Sequence, residues 1–283
     1  MGEQQKPEAI AKSVQALSHS GKAYWDAPIT LSTAAKCYHL AEHIVSPYKH
    51  NPIDITLFVS CYNEETFIIN TLNTLVAAMK KLDKTYEILV IDDCSKDRSL
   101  ELVQNFIAQH PDVPIILRAN VKNKGLAQNY VDGAFIGRGK YYRLFCGDNS
   151  EPVETMVTVL SRIGEADIIV PYYLEFQDRV FYRQFMSKLY TKLINLISGN
   201  KIQYYNGLHV HLRYNIMRWH PNTRGFGFQA ALLCSLIEQG FTYVEVPTIT
   251  IERRGGRGNA VTWKNLRSVV HTMLSVLMRR IAS

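Results

Sequence analysis

Two acidic clusters carry residue types that can do chemistry, and each follows an apolar run. Asp92-Asp93-Cys94-Ser95 comes after Tyr86–Ile91, and Gly147-Asp148-Asn149-Ser150 comes after Tyr141–Cys146. Carboxylates accept hydrogen bonds from ribose hydroxyls and base N–H groups, and they bind hard divalent cations beside phosphates. In open α/β sheets, ligands bind beyond the carboxyl ends of the strands. Two carboxylate clusters at two such ends therefore point to a nucleotide-sugar site. Taken as local structure alone, Asp92-Asp93-Cys94-Ser95 has the residue types of a helix N-cap, and Gly147-Asp148-Asn149 those of a plain turn.

The elements that must position these clusters follow from periodicity. Ile55–Val59, Tyr86–Ile91, Pro114–Leu117 and Tyr141–Cys146 are short β-rich runs that suit strands covered on both faces. Helical spacings lie between them: Phe67 to Met79, Arg98–Gln109 and Leu126–Phe135. This alternation predicts an α/β domain with a mostly parallel sheet flanked by helices. Ala166–Pro171 and Tyr243–Pro247 read as further strands. Phe185–Ile197 reads as an amphipathic helix, with Phe185, Met186, Leu189, Tyr190, Leu193, Ile194 and Ile197 on one side and Lys188 and Lys192 on the other. The expected division is an N-terminal, largely helical extension over 1–52, the α/β domain over 53–260, and a C-terminal amphipathic helix over 261–283.

The bulk numbers narrow the partners. Among 283 residues, 47% are hydrophobic and 20% charged, which fits a globular chain. A net charge of +7 suits an anionic ligand or an anionic membrane surface. No zinc finger, RNA-recognition aromatic motif or basic heptad supports nucleic acid as a partner. Cys37, Cys61, Cys94, Cys146 and Cys234 are scattered, odd in number and without C-x-x-C spacing, so a reducing cytosolic compartment is expected. The polar start, Met1–Pro7, has no signal-peptide core, and no run reaches the roughly 18–20 apolar residues of a membrane span. The expectation is a cytoplasmic protein, peripheral at most to the cytoplasmic face of a membrane.

Taken together, the ordered motifs resemble the inverting glycosyltransferases of family 2, which have the Rossmann-like GT-A fold, and within them the polyprenyl- or dolichyl-phosphate sugar synthases. The resemblance runs from about Ile53 to Asn259. The family's Pro-x-Tyr-Asn-Glu stands here as Ser60-Cys61-Tyr62-Asn63-Glu64, and its Val-Asp-Asp-Gly-Ser as Ile91-Asp92-Asp93-Cys94-Ser95, followed by Asp97. Asn123-Lys124-Gly125, Gly240-Phe241 with Glu245-Val246-Pro247, and Arg253-Arg254-Gly255-Gly256 match later family segments.

The resemblance implies that Tyr62, Glu64 and Asp92 contact the base and ribose of a UDP- or GDP-linked sugar, with Asp93 and Asn123 in the same site. It places the metal motif, Asp-x-Asp in the family, on Cys146-Gly147-Asp148. Asp148 then holds Mg²⁺ or Mn²⁺, with Asn149, Ser150 or water completing the shell and Gly147 beside the diphosphate. Arg253 and Arg257 in the basic loop, and Arg183 before the acceptor segment, are implied phosphate contacts. The implied reaction is sugar transfer with inversion, to a polyprenyl phosphate first and to a soluble glycan, protein or small-molecule hydroxyl second.

Three departures from the family pattern affect these expectations. Cys146 replaces the first metal-site carboxylate, and a thiol is a poor ligand for a hard cation. Ala231, in Phe228-Gln229-Ala230-Ala231, stands where the family often has a glutamate. A hydroxyl acceptor profits from a general base, whereas a phosphate monoester is already ionised at neutral pH, and Asp148, Glu151 or Glu154 could also serve. Asn259 replaces a lysine in the basic loop. These changes leave a non-catalytic nucleotide-sugar binder as the rival class. A dinucleotide-dependent dehydrogenase is set aside, because no Gly-x-Gly-x-x-Gly follows the first strand.

Overall fold

The computed structural model describes residues 52–177, 181–219 and 227–251, together with 271, 273, 274, 276–278 and 280. The extension over 1–51 and the basic loop with Arg253 and Arg257 lie outside them, as does the side chain of Arg183.

The alternation read from the sequence is the one observed. In chain order the elements are β1 (Ile55–Cys61), α1 (Ile68–Met79), β2 (Tyr86–Asp92), α2 (Ser99–Gln109), β3 (Ile115–Ala119), α3 (Leu126–Ile136) and β4 (Tyr141–Cys146). They continue with α4 (Val153–Ser161), β5 (Ile168–Gln177), α5 (Phe181–Ser198), β6 (Val210–Leu212), α6 (Arg213–Met217), α7 (Phe228–Glu238) and β7 (Tyr243–Ile251). Among the described residues, one seven-stranded sheet runs β3-β2-β1-β4-β6-β5-β7. Every pairing is parallel except those of the short β6, which is antiparallel to β4 and β5.

Apolar residues on both sides of the strands explain why the central strands are almost wholly buried. On one face Leu57, Val59, Ile88 and Val90 meet Leu72 and Leu75 of α1, Val103 and Phe106 of α2, and Met156 and Val159 of α4. On the other, Phe58, Leu89, Tyr142 and Leu144 meet Tyr130 and Ala134 of α3 and Phe228 and Leu232 of α7. At the amino edge of the strands, buried Glu87 accepts a hydrogen bond from Thr56 Oγ1 (2.7 Å) and one from Arg138 Nε (2.9 Å). That network fixes β1 against β2 at the edge opposite the acidic clusters.

Helix α5 departs from the sequence reading. Ile194 is buried and Tyr190 and Ile197 pack against the core, as expected. Phe185 (56% exposed), Met186, Leu189, Leu193 and Leu196 (76%) instead face outward, on the side that carries exposed Lys188 and Lys192. The helix is apolar around most of its circumference, so burying one stripe leaves a second one uncovered. Among the described residues, no helix is long and apolar enough to cross a membrane.

Candidate active site

The sheet order reverses at β1: β2 and β3 lie to one side and β4 to the other. Crevices at such a reversal are where open α/β sheets bind ligands. Tyr62, Asn63 and Glu64 leave the end of β1 there, Asp92 to Ser95 the end of β2, and Gly147 to Glu151 the end of β4. Each turn contains a non-glycine residue in the left-handed region: Asn63 (φ 56°), Cys94 (φ 65°) and Asn149 (φ 52°). Strain of this kind costs roughly 1–3 kcal/mol per residue and gathers where a chain must present groups to a ligand. Cys94 occupies the glycine of the family motif, and its positive φ is the physical reason for glycine at that position.

The three turns are tied to one another. Asp93 N–H donates to Cys61 O (2.8 Å), Asn63 N–H to Ser95 Oγ (3.0 Å), Glu64 N–H to Ser99 Oγ (2.8 Å), and Gly147 N–H to Ser60 O (3.0 Å). A Cβ on Gly147 would stand 2.9 Å from Ser60 O and 3.2 Å from Glu64 Cγ, so glycine lets the β1 and β4 turns close together. Tyr62 is 45% exposed at the rim.

Asp92 and Asp93 divide the work. Asp93 Oδ1 accepts from Lys124 N–H (2.8 Å) and Asn120 Nδ2 (2.9 Å), and its Oδ2 accepts from Gly125 N–H (2.9 Å). Burial alone would raise the Asp93 pKa, but contacts with Asn129, the two amides and Asn120 outweigh it and hold the carboxyl below its ordinary range. Asp93 pins the loop from Asn120 to Gly125, and Asn123 Nδ2 donates to the Asp93 carbonyl (3.2 Å). Asp92 is buried too, and its Oδ2 accepts from Ser95 N–H (3.1 Å), while Oδ1 has no hydrogen-bond partner among the described residues. A buried carboxylate oxygen without a donor calls for a partner, which a water, an ion or a ligand's donor can supply.

The β4 turn is held by α1. Thr71 Oγ1 of α1 donates to Gly147 O (3.0 Å), and Thr74 Oγ1 donates to Asn149 Oδ1 (2.9 Å), which directs the Asn149 side chain toward α1. Asp148 stands between these anchors, half-buried, with Oδ1 accepting from Ser150 N–H (3.2 Å). Burial and the charges of Asp148, Glu151 and Glu64 push the Cys146 thiol well above its ordinary range. Among the described residues no group of three or more His, Cys, Asp or Glu is arranged to hold a metal alone. A half-buried carboxylate at a strand end suits a hard cation that draws its other ligands from water and from the oxygens of a ligand.

Several contributors were not visible as site residues in the sequence. Thr71 and Thr74 look like ordinary helix positions, and only the fold brings them to the β4 turn. Arg143 gave a signal, as a lone charge in an apolar strand, and it is fully buried with Glu151. Glu154, a candidate base by sequence, has a side chain 78% exposed and faces Lys81 at 3.6 Å on the outer surface.

Comparison with known proteins agrees with this geometry. Two solved structures share the fold: the mannosyltransferase PcManGT of Pyrobaculum calidifontis, in complex with GDP-Man and Mn²⁺ (TM-score 0.59, 16% identity, 88% of this chain and 72% of that one), and glucosyl-3-phosphoglycerate synthase of Mycobacterium tuberculosis, in complex with Mn²⁺, UDP-glucose and phosphoglyceric acid (TM-score 0.60, 14% identity, 80% of each). Among curated relatives, dolichyl-phosphate beta-glucosyltransferase of Dictyostelium discoideum is 31% identical over 108 residues, 35% of this chain and 33% of its own. Undecaprenyl-phosphate 4-deoxy-4-formamido-L-arabinose transferase of Shewanella sediminis is 26% identical over 159 residues, 56% of this chain and 48% of its own. The match thus spans a third to about half of the length of these relatives. The sequence profile of Glycosyl transferase family 2 matches residues 56–218, more than half of the chain, and the protein belongs to that family.

Proposed function

We propose that the protein transfers a sugar from a nucleotide-diphospho-sugar to a polyprenyl phosphate, in a single displacement that inverts the anomeric carbon. The observation that carries this reading is the buried Oδ1 of Asp92, without a hydrogen-bond partner among the described residues, at the strand-order reversal and on the same sheet edge as the half-buried carboxylate of Asp148. Asp92 and Glu64 receive donors from ribose and base, Tyr62 offers its exposed ring to the base, and Asp148 holds Mg²⁺ or Mn²⁺. When bound, the cation offsets the charge of the diphosphate. The bond from the anomeric carbon to the diphosphate oxygen breaks as an acceptor oxygen bonds to that carbon, and nucleoside diphosphate leaves. Arg183, Arg253 and Arg257 are assigned to phosphate groups by their sequence positions. Asn149, in contrast, supports the turn through Thr74.

The acceptor assignment draws on the named activities of the curated relatives and on the acid–base inventory. Glu151 is tied to Arg143, Glu154 faces outward, and Ala231 carries no carboxylate. A phosphate acceptor needs no deprotonation at neutral pH, so it suits this inventory better than a hydroxyl. The uncovered row on α5, with its lysines and no acidic residue in the helix, supports peripheral contact with an anionic membrane face, on the cytoplasmic side by the cysteine pattern.

The test is release of nucleoside diphosphate from UDP- and GDP-sugars with Mn²⁺, with and without a short polyprenyl phosphate. Acceptor-dependent release from one donor is expected. Tight donor binding with no release under any condition would make the protein a binder, the reading that Cys146, Ala231 and Asn259 would favour.

A further inference from the structure

Arg143 lies at the centre of β4, between Tyr142 and Leu144, and is completely buried. Its Nε donates to Leu208 O (2.8 Å) and its Nη2 to Glu151 Oε1 (2.5 Å), while its guanidinium lies over the Phe145 ring at 4.6 Å. The two hydrogen bonds go to two separate segments. Glu151 closes the turn that carries Asp148, and Leu208 ends the loop that follows α5 and enters β6. Because β5 runs parallel to β4's direction, through the antiparallel β6 between them, α5 departs from the same sheet edge to which the Asp148 turn belongs.

Stability does not account for this pair. Arg143 Nη1 and Glu151 Oε2 are buried without a hydrogen-bond partner among the described residues. A buried ion pair that leaves donors and acceptors unmade is commonly matched or bettered by apolar residues of similar volume. What the apolar pair cannot do is fix two loops to one rigid planar fork, and a lysine, as a point charge, does so poorly.

We propose that Arg143 is a positioning residue that locks the Asp148 turn, through Glu151, to the Tyr204–Leu208 loop, so that the cation site and the loop leading into β6 keep one relative placement. This rests on the donor-site reading of Asp148. Thr71 and Thr74 hold the same turn at Gly147 and Asn149.

The decisive variant is the charge-free double change Arg143→Met with Glu151→Leu, since either single truncation strands a buried charge and can unfold the chain. Titration with UDP and GDP, with and without Mn²⁺, is combined with thermal melting and amide hydrogen exchange. The double variant is expected to melt within about 3 °C of wild type or higher, and to lose about tenfold or more of the Mn²⁺ enhancement of nucleotide affinity. Exchange should rise together in 147–151 and 204–208. A folded double variant with wild-type Mn²⁺ enhancement, or with faster exchange in only one segment, would overturn the proposal. Should the double variant fail to fold, Arg143→Lys decides instead: a weakened Mn²⁺ response supports positioning, and an unchanged one contradicts it. A wild-type protein without any Mn²⁺-enhanced nucleotide binding would sink the donor-site reading itself, a different result from an unaffected variant.

Discussion

Asp92 and Asp93 are chain neighbours with opposite obligations: both oxygens of Asp93 are occupied by Asn120, Lys124 and Gly125, whereas one buried oxygen of Asp92 has no partner among the described residues. Stability and ligand affinity should therefore separate between them. Asp93→Ala strands two backbone amides and an Asn side chain and should cost about 3 kcal/mol of stability. Asp92→Asn keeps an acceptor for Ser95 N–H and should melt near wild type while nucleotide affinity falls about tenfold. Paired thermal melts and calorimetric titrations check both halves.

Gly147→Ala tests the closeness of the β1 and β4 turns. A methyl 2.9 Å from Ser60 O forces backbone to move, because the obstructing atom is main chain. A stability loss of about 1–3 kcal/mol is expected, with a larger proportional loss of turnover as Asp148 shifts. Turnover at wild-type level would show that the turn has slack.

Cys94→Gly should stabilise the protein. Its φ of 65° is costly for a side chain and free for glycine, against which stands the loss of a weak contact from the thiol to Val121 O at 3.8 Å. The expected gain is about 1 kcal/mol, read as a higher midpoint in chemical denaturation.

The buried histidines of the β6 segment set a pH dependence. Burial, with the Arg143 charge beside it, lowers His209 to about 3, and burial with His209 nearby lowers His211 well below its ordinary value. Both stay neutral in the fold while the unfolded chain takes up protons below about pH 6.5, so stability falls as pH drops from 6.5 toward the folded values. The slope approaches about 1.4 kcal/mol per pH unit for each histidine. Glu151, raised by burial despite Arg143, acts in the opposite sense and offsets part of it. Melting temperature should fall between pH 7 and 5, and His209→Gln with His211→Gln should flatten that limb. An equally steep limb in the double variant would contradict the assignment.

Periodicity and strand-end motifs made the sheet legible, because β1 to β4 are short apolar runs whose ends carry the polar residues of the site. The three-residue β6 carries too little pattern to reveal that it pairs antiparallel between β4 and β5. Helix α5 shows the limit of periodicity: its apolar residues surround most of the axis, and only packing decides which stripe is covered. The roles of Asp93 and Arg143 were hidden for a related reason. Acid in a strand-end motif looks the same whether it meets a ligand or a loop amide, and Arg143 is intelligible only once Glu151 and Leu208 are beside it.

The most direct measurement is titration of wild type and Asp148→Asn with UDP and GDP, with and without Mn²⁺. In wild type the cation should tighten one nucleoside diphosphate about tenfold or more, and in Asp148→Asn, with unchanged melting, that gain should vanish. An equal Mn²⁺ effect in both proteins would mean that the diphosphate is held somewhere other than the end of β4.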